Sequence, residues 1–396
     1  MRTRMLRTGA AVLACAGLGG CWLAPGQGPD RRADNPFETG LTAANVATLT
    51  EAWSADTGDV RVGPPVVSGG GVHVVAADQL VTLAARTGTE RWRTPDEPTG
   101  IATASDPIVR GGEVIIGVGY GNLGGHWQAT AYDVDDGTPR SLPVTALVDG
   151  VRGTTAATRS VAFGSGTPVL NTVGVRDLTT GAGWSGMVTF EDRSSPYFGQ
   201  APLTLGEDGL FQAGGGTLSP TPPGTASGWG VRRFALTQPA NCAPSPTYPY
   251  APCPTWATPV DGAPTSPLLT GRAVVVGTAT GTVHALDAAD GSVLWTRSVA
   301  GAVRATPAFA DGLLYVVTAA GDLTVLDGDT GEPVWGAAGL GTLSVQPAVA
   351  GGVVYVASGD GTVRAFAAAG CGAATCAPLW QDDTGDAAIT GAPAAP

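Results

Sequence analysis

Val325-Leu326-Asp327-Gly328-Asp329-Thr330-Gly331-Glu332-Pro333-Val334-Trp335 reads as a short apolar strand, a polar turn, and a second strand that carries a tryptophan. Val325 and Leu326 continue the β-favouring run that begins at Leu323. Asp327 to Gly331 are turn residues: Asp and Thr side chains bond to the nearby backbone, and Gly accepts positive φ. The same grammar recurs at Ala285-Leu286-Asp287 with Gly291 and Trp295. It recurs again at Leu83 with Thr87, Gly88 and Trp92, where Ala84 stands in the Asp position. Gly88, Gly291 and Gly331 each precede a Trp by four residues.

Outward from this stretch, Trp53, Trp92, Trp256, Trp295, Trp335 and Trp380 mark equivalent points, at separations of 39, 164, 39, 40 and 45 residues. Thr265–Trp295, Ala305–Trp335 and Val345–Trp380 align closely, each opening near a proline (Pro267, Pro307, Pro347) and running through alternating strands and Gly turns. Residues 63–92 repeat the pattern. Between Trp92 and Trp256 three looser units are expected, starting near Asp106-Pro107, Ser160-Val161 and Ala201-Pro202. The Pro-rich stretches Ser219–Ser227 and Pro239–Pro254 read as insertions in them.

A unit of this size cannot bury both faces of its sheet, so neighbours must stack. Four-stranded units repeated around an axis make a β-propeller, which leaves only short edges exposed. Regularly spaced Trp side chains are then expected in the interfaces between consecutive blades. Trp53 reads as the last strand of a further blade, and Ala387–Pro393 as its first. The expected fold is all-β, a propeller of seven full blades plus a partial eighth, over residues 37–396.

Composition points the same way. Gly (60) and Pro (31) interrupt the 396 residues so often that the longest run free of both is Leu41–Thr57. That excludes a helical bundle. The formal net charge is −12, and every basic residue is an arginine. Such a chain repels the nucleic-acid backbone, whose binding depends on neutralising phosphates. Nucleic acid is therefore excluded as a partner.

Arg2, Arg4 and Arg7 form a basic start, and Thr8–Gly20 is an uncharged stretch of small and apolar residues, too short to span a bilayer. It ends in Leu18-Gly19-Gly20-Cys21, which resembles the lipobox of bacterial lipoproteins. Residues 1–20 are thus expected to be a lipoprotein signal peptide, Cys21 the lipidated residue, and 21–36 a flexible tether rich in Pro and Gly. The chain is placed on the extracytoplasmic face of the membrane, held by its lipid. In that oxidising setting the four remaining cysteines are expected to pair as Cys242–Cys253 and Cys371–Cys376, because short loops cost least to close. A zinc site is the competing reading, but neither pair has a histidine close in sequence.

The run from Val325 to Trp335 resembles the tryptophan-docking repeat of quinoprotein-type, PQQ-like propellers, which reads approximately A-x-D-x-x-T-G-x-x-x-W. Asp287 and Asp327 stand in its Asp position. The likeness covers most of residues 40–390, closely in four units and loosely in three. Lipobox and repeat together resemble the outer-membrane-assembly propeller lipoproteins, and that resemblance implies a non-catalytic scaffold. The repeat is also shared with PQQ-dependent dehydrogenases, and here the residues depart from the pattern. Those enzymes carry a vicinal Cys-Cys pair against the cofactor, and this sequence has no adjacent cysteines. It has no Cys-x-x-Cys-His haem motif, no His-Glu-x-x-His motif and no lysine for a phosphate-binding loop. Asp133-Val134-Asp135-Asp136-Gly137 faintly resembles a Ca²⁺ loop but lacks the downstream Glu, so it reads as an acidic turn.

The reading from sequence is a monomeric, non-catalytic scaffold for envelope or secreted proteins, with no cofactor, no metal and no catalytic residues. Its alternatives are a PQQ-dependent dehydrogenase and a propeller that binds a small solute or glycan at the axial opening.

Overall fold

The computed structural model describes residues 25–57, 63–76, 79–95, 101–120, 126–162, 170–189, 202–215, 228–240 and 252–384. Their regular structure is almost wholly β, with two one-turn helices at Pro25–Gln27 and Val46–Thr48. Seven antiparallel meanders form the blades, each numbered here in chain order. Blade five shows the pattern: Leu268–Leu269 is innermost, then Ala273–Gly277, Thr282–Asp287, and Val293–Ser298 outermost. Blade one spans Val66–Arg93, blade three Leu147–Thr189, blade four Thr204–Val260, blade six Ala308–Ala337 and blade seven Ala348–Asp383.

Blade two differs in its innermost strand, which is split into Ile101–Ala104 and Ile108–Arg110, both paired with Glu113–Tyr120. Asp106-Pro107 makes the break, since Pro has no N–H to give a ladder. Blade three begins at Leu147, not near Ser160-Val161 as the sequence suggested. Ser160 and Val161 lie in its second strand, Thr155–Ala162. The polar Asp149-Gly150 within the first strand had masked its apolar pattern.

Burial follows position in the blade. The second strand of blade five, Ala273–Gly277, is buried at every residue, while its outermost strand is largely at the surface. A sheet stacked on both faces must be apolar on both, so alternation disappears where blades meet. Blades three and four share Ala157, Val173 and Val175 with Leu203, Leu210 and Phe234. Blades four and five share Phe211 and Val231 with Val274, Val276 and Leu286. Another cluster joins residues of blades six and seven to Leu41, Val46 and blade one. Each fully buried Val, Leu or Phe contributes ~1.5–3 kcal/mol.

Indoles join consecutive blades. Trp295 of blade five donates from Nε1 to the Gly328 carbonyl of blade six at 3.1 Å. Its ring lies on Gly331, where a Cβ would come within 2.5 Å of Trp295 Cε3. Trp53, Trp92, Trp256 and Trp335 donate likewise to the carbonyls of Ala85, Val134, Ala288 and Ala368. Gly88 lies under Trp53 and Gly291 under Trp256. Asp327 shapes the receiving turn, its Oδ1 accepting the Thr330 N–H and hydroxyl, each at 2.8 Å. Asp287 accepts the Ala289 N–H at 2.9 Å in the same way. Asp133–Gly137 is the turn under Trp92, Asp133 accepting the Asp135 N–H at 2.8 Å.

Sequence reading missed one such contact. Trp184 of blade three donates to the Leu236 carbonyl at 3.0 Å. The signal was present in Asp177, Thr180, Gly181 and Trp184, but with the Trp one residue early. Between blades seven and one, Trp380 donates to the Leu49 carbonyl at 3.0 Å. Residues 42–55 thus lie between the last blade and the first, but Trp53 is not in a strand. The strand expected at Ala387–Pro393 lies outside the described residues; among those described the fold is seven four-stranded blades.

Candidate functional site

Innermost strands of a propeller leave one edge without a neighbour, facing the axis. Their N–H groups there need acceptors. In blades four to seven the acceptors come from the N-terminal segment. The carbonyls of Pro29, Asp30, Arg32 and Ala33 accept the N–H groups of Leu205, Leu269, Phe309 and Val349, at 2.8–2.9 Å. Asp34–Asn35 then pairs in parallel with Val349 and Ala350. Gln346 Nε2 donates to the Arg31 carbonyl at 3.1 Å, and the Ala33 N–H donates to Gly26 at 2.7 Å. The flexible tether expected over 21–36 is therefore corrected from residue 29 onward: this stretch is a strap fixed across four blades. Unmet edge N–H groups outweigh the local Pro and Gly composition that suggested a tether.

The strap lies at one end of the axis. Leu205 and Leu269 are the last residues of their strands, and Arg32 Nη2 is 3.7 Å from a Cβ built on Gly271, in the first turn of blade five. Phe37 follows the strap and is 76% exposed.

Arg31 carries charge into the protein. It is buried, its Nε donating to the Leu203 carbonyl at 3.2 Å and its Nη2 to the Asp149 carbonyl at 2.9 Å. The Asp149 carboxylate accepts Arg159 Nε at 2.7 Å and the Leu203 N–H at 3.0 Å. Burial lowers the pKa of Arg31, opposed by Asp149 and Asp106. Burial raises that of Asp106, opposed by Arg31 and Arg159. For Arg159 the burial cost is outweighed by Asp149, and its pKa is raised. Two arginines and two aspartates thus answer one another.

A second polar cluster lies at the opposite end of blade five. Asp261 accepts from Thr282 Oγ1 at 2.6 Å, Thr278 Oγ1 at 3.0 Å and His284 Nε2 at 3.0 Å. Burial raises its pKa, but these bonds win and hold it at about 2. The cluster braces a loop against a turn. His73 is buried, bonded to Thr82 Oγ1 at 2.8 Å, and burial lowers it to about 4, so it is a neutral core residue. Among the described residues no group of three or more His, Cys, Asp and Glu side chains is placed to hold a metal.

Cys371 and Cys376 form a disulfide with Cα atoms 5.7 Å apart. Their loop pairs with blade six, the Cys376 N–H donating to the Gly336 carbonyl at 2.9 Å. Cys253 is disulfide-bonded. Cys242, Cys21 and residues 1–20 lie outside the described residues.

Seven four-stranded blades joined by docked tryptophans define a propeller of PQQ-like repeats. A family model described as the outer membrane protein assembly factor BamB matches residues 38–192, 252–369 and 279–395. The chain belongs to that family. No curated protein is significantly similar to it. Among solved structures it is similar to BamB from Moraxella catarrhalis, at 18% identity, with a TM-score of 0.52 and coverage of 79% of this chain and 85% of that one. It is also similar to the quinohemoprotein alcohol dehydrogenase ADHIIG from Pseudomonas putida HK5 (14% identity, TM-score 0.66, 94% and 73% covered). A europium-containing methanol dehydrogenase gives 16% identity, a TM-score of 0.65, and 94% and 87% covered. At these identities the structural likeness shows the fold. No helix among the described residues is long and apolar enough to cross a membrane.

Proposed function

We propose that this chain is a non-catalytic, lipid-anchored propeller on the extracytoplasmic side of the membrane, and that it works by binding envelope or secreted proteins. One observation carries the reading: the chain's own residues 29–35 lie across the inner edges of blades four to seven. Among the described residues there, Arg31 and Arg159 are answered by Asp149 and Asp106 and are not free for an anionic cofactor. The residues do not fit PQQ and its metal either. The vicinal cysteines are missing from the sequence, and the described residues contain no cluster of metal ligands.

Partner contacts are assigned to the rim opposite the strap. The connections between residues 162 and 170, 189 and 202, and 215 and 228 all leave blades three and four at that end. Loops carried by a rigid scaffold are where binding residues concentrate. Cys21 precedes Pro25 by four residues, a reach of at most about 14 Å. Its lipid would hold the strap's rim near the bilayer and turn the other rim outward.

Two measurements test this. Calorimetry with PQQ and Ca²⁺ is expected to give no heat, and one-to-one micromolar binding would overturn the non-catalytic reading. Photo-crosslinkers at Ser160, Pro202 and Gly228 are expected to capture discrete envelope proteins in intact cells. Capture from Gly70 and Gly312, on the strap's rim, in place of those positions would overturn the assigned face.

A further inference from the structure

Blade four holds a buried cation that no acid among the described residues answers. Gln212 and Arg232 face each other across its second and third strands, with 0% and 2% of their surface exposed. Arg232 Nη1 donates to Gln212 Oε1 at 3.4 Å, a long bond. Arg232 Nη2 and Gln212 Nε2 have no hydrogen-bond partner among the described residues. Burial lowers the guanidinium to about 10, and no carboxylate among the described residues acts against it. The contrast with Arg31 and Arg159 is sharp, since both of those answer Asp149 and Asp106.

The pair faces blade three. Leu210 and Phe234, one step along the same face, pack with Ala157, Val173 and Val175. One step the other way the facing pair is Gly214 and Gly230. Neither has a side chain, so the second and third strands set no side-chain atom beside the two donors in that direction. Two unmet donors, one of them charged, in a buried interface complement an anion: a charge-assisted bond is strong there, and an orphaned buried charge is costly.

We propose a small-anion site between blades three and four, in which the Arg232 guanidinium and the Gln212 amide hold one monovalent anion, a halide or a small carboxylate. The site is distinct from the strap cluster, whose charges do not include Arg232. An anion bound only by the folded chain raises its stability with concentration.

The test is thermal unfolding of the full chain in neutral detergent at constant ionic strength, with bulky sodium gluconate replaced stepwise by chloride or by acetate. The wild-type midpoint is expected to rise and saturate with one of them, and that one identifies the anion. Arg232→Met is expected to match or exceed the wild-type midpoint in gluconate and to show no response to either salt. Gln212→Met is expected to raise the half-saturating concentration at least threefold. A wild type that responds to neither salt overturns the proposal, as does an equal response in Arg232→Met. If Arg232→Met does not fold, Gln212→Met decides, and an unchanged half-saturation overturns it.

Discussion

Replacing Gly331 by alanine tests how the blades are held together. Gly331 has φ of 69°, and a Cβ there would meet Trp295 Cε3 at 2.5 Å and Cδ2 at 2.6 Å. Two costs follow. The left-handed backbone costs an alanine ~1–2 kcal/mol. The clash also lifts the indole off its turn, losing the 3.1 Å bond to Gly328, worth about 1 kcal/mol, and ~1–2 kcal/mol of ring burial. The sum is about 3–5 kcal/mol. Gly312→Ala is the control, since Gly312 has φ of 81° and nothing within 4 Å of a Cβ. It should lose only the backbone part, ~1–2 kcal/mol. Denaturant titration of both variants, followed by tryptophan emission, measures the difference, with a red shift in folded Gly331→Ala alone. Equal losses in the two variants would refute the idea that a docked indole contributes to the seam.

Three further outcomes are expected. Asp149→Asn leaves Arg31 and Arg159 poorly answered and should cost ~3–5 kcal/mol, with earlier proteolysis in residues 25–36; an unchanged cleavage rate would detach the strap from this cluster. Asp34 is raised to about 6 by burial and then by Asp311, against Arg32. The folded state therefore favours its protonated form, so its contribution is full below the ordinary value of 3.8 and is lost as pH rises through about 6. Asp34→Asn should match wild type at pH 4 and exceed it at pH 7 by ~1–2 kcal/mol, after allowance for solvent screening; parallel pH–stability curves would contradict this. Cys371→Ser with Cys376→Ser should lower stability by ~2 kcal/mol, the entropy of closing a short loop, seen as a shifted denaturation midpoint.

The repeat was legible because its physics is local. Asp327, Thr330 and Gly331 make their turn with one another, and Trp295, Trp335 and Trp380 recur at the period of one blade. Strand patterns and turn chemistry sufficed for the fold class and for most of the blades. Where a buried polar residue broke the pattern, as Asp149 did, the boundary of blade three slipped by about a dozen residues. Trp184 was lost to a single-residue shift in spacing.

The strap and the buried charges were not legible at all. Pro29 to Asn35 look like linker by composition, and nothing local requires them to be ordered. They are held because four inner strands, drawn from residues 204–350, present unpaired N–H groups at one place. Arg31 meets Asp149 and Arg159 across more than a hundred residues of chain. The isolation of Arg232 is likewise a matter of what the stacked blades exclude. Sequence alone determined what each forty-residue unit does with its own turns and strands. Closure of the ring decided which edges and charges were left over, because those remainders exist only once the blades surround a common axis.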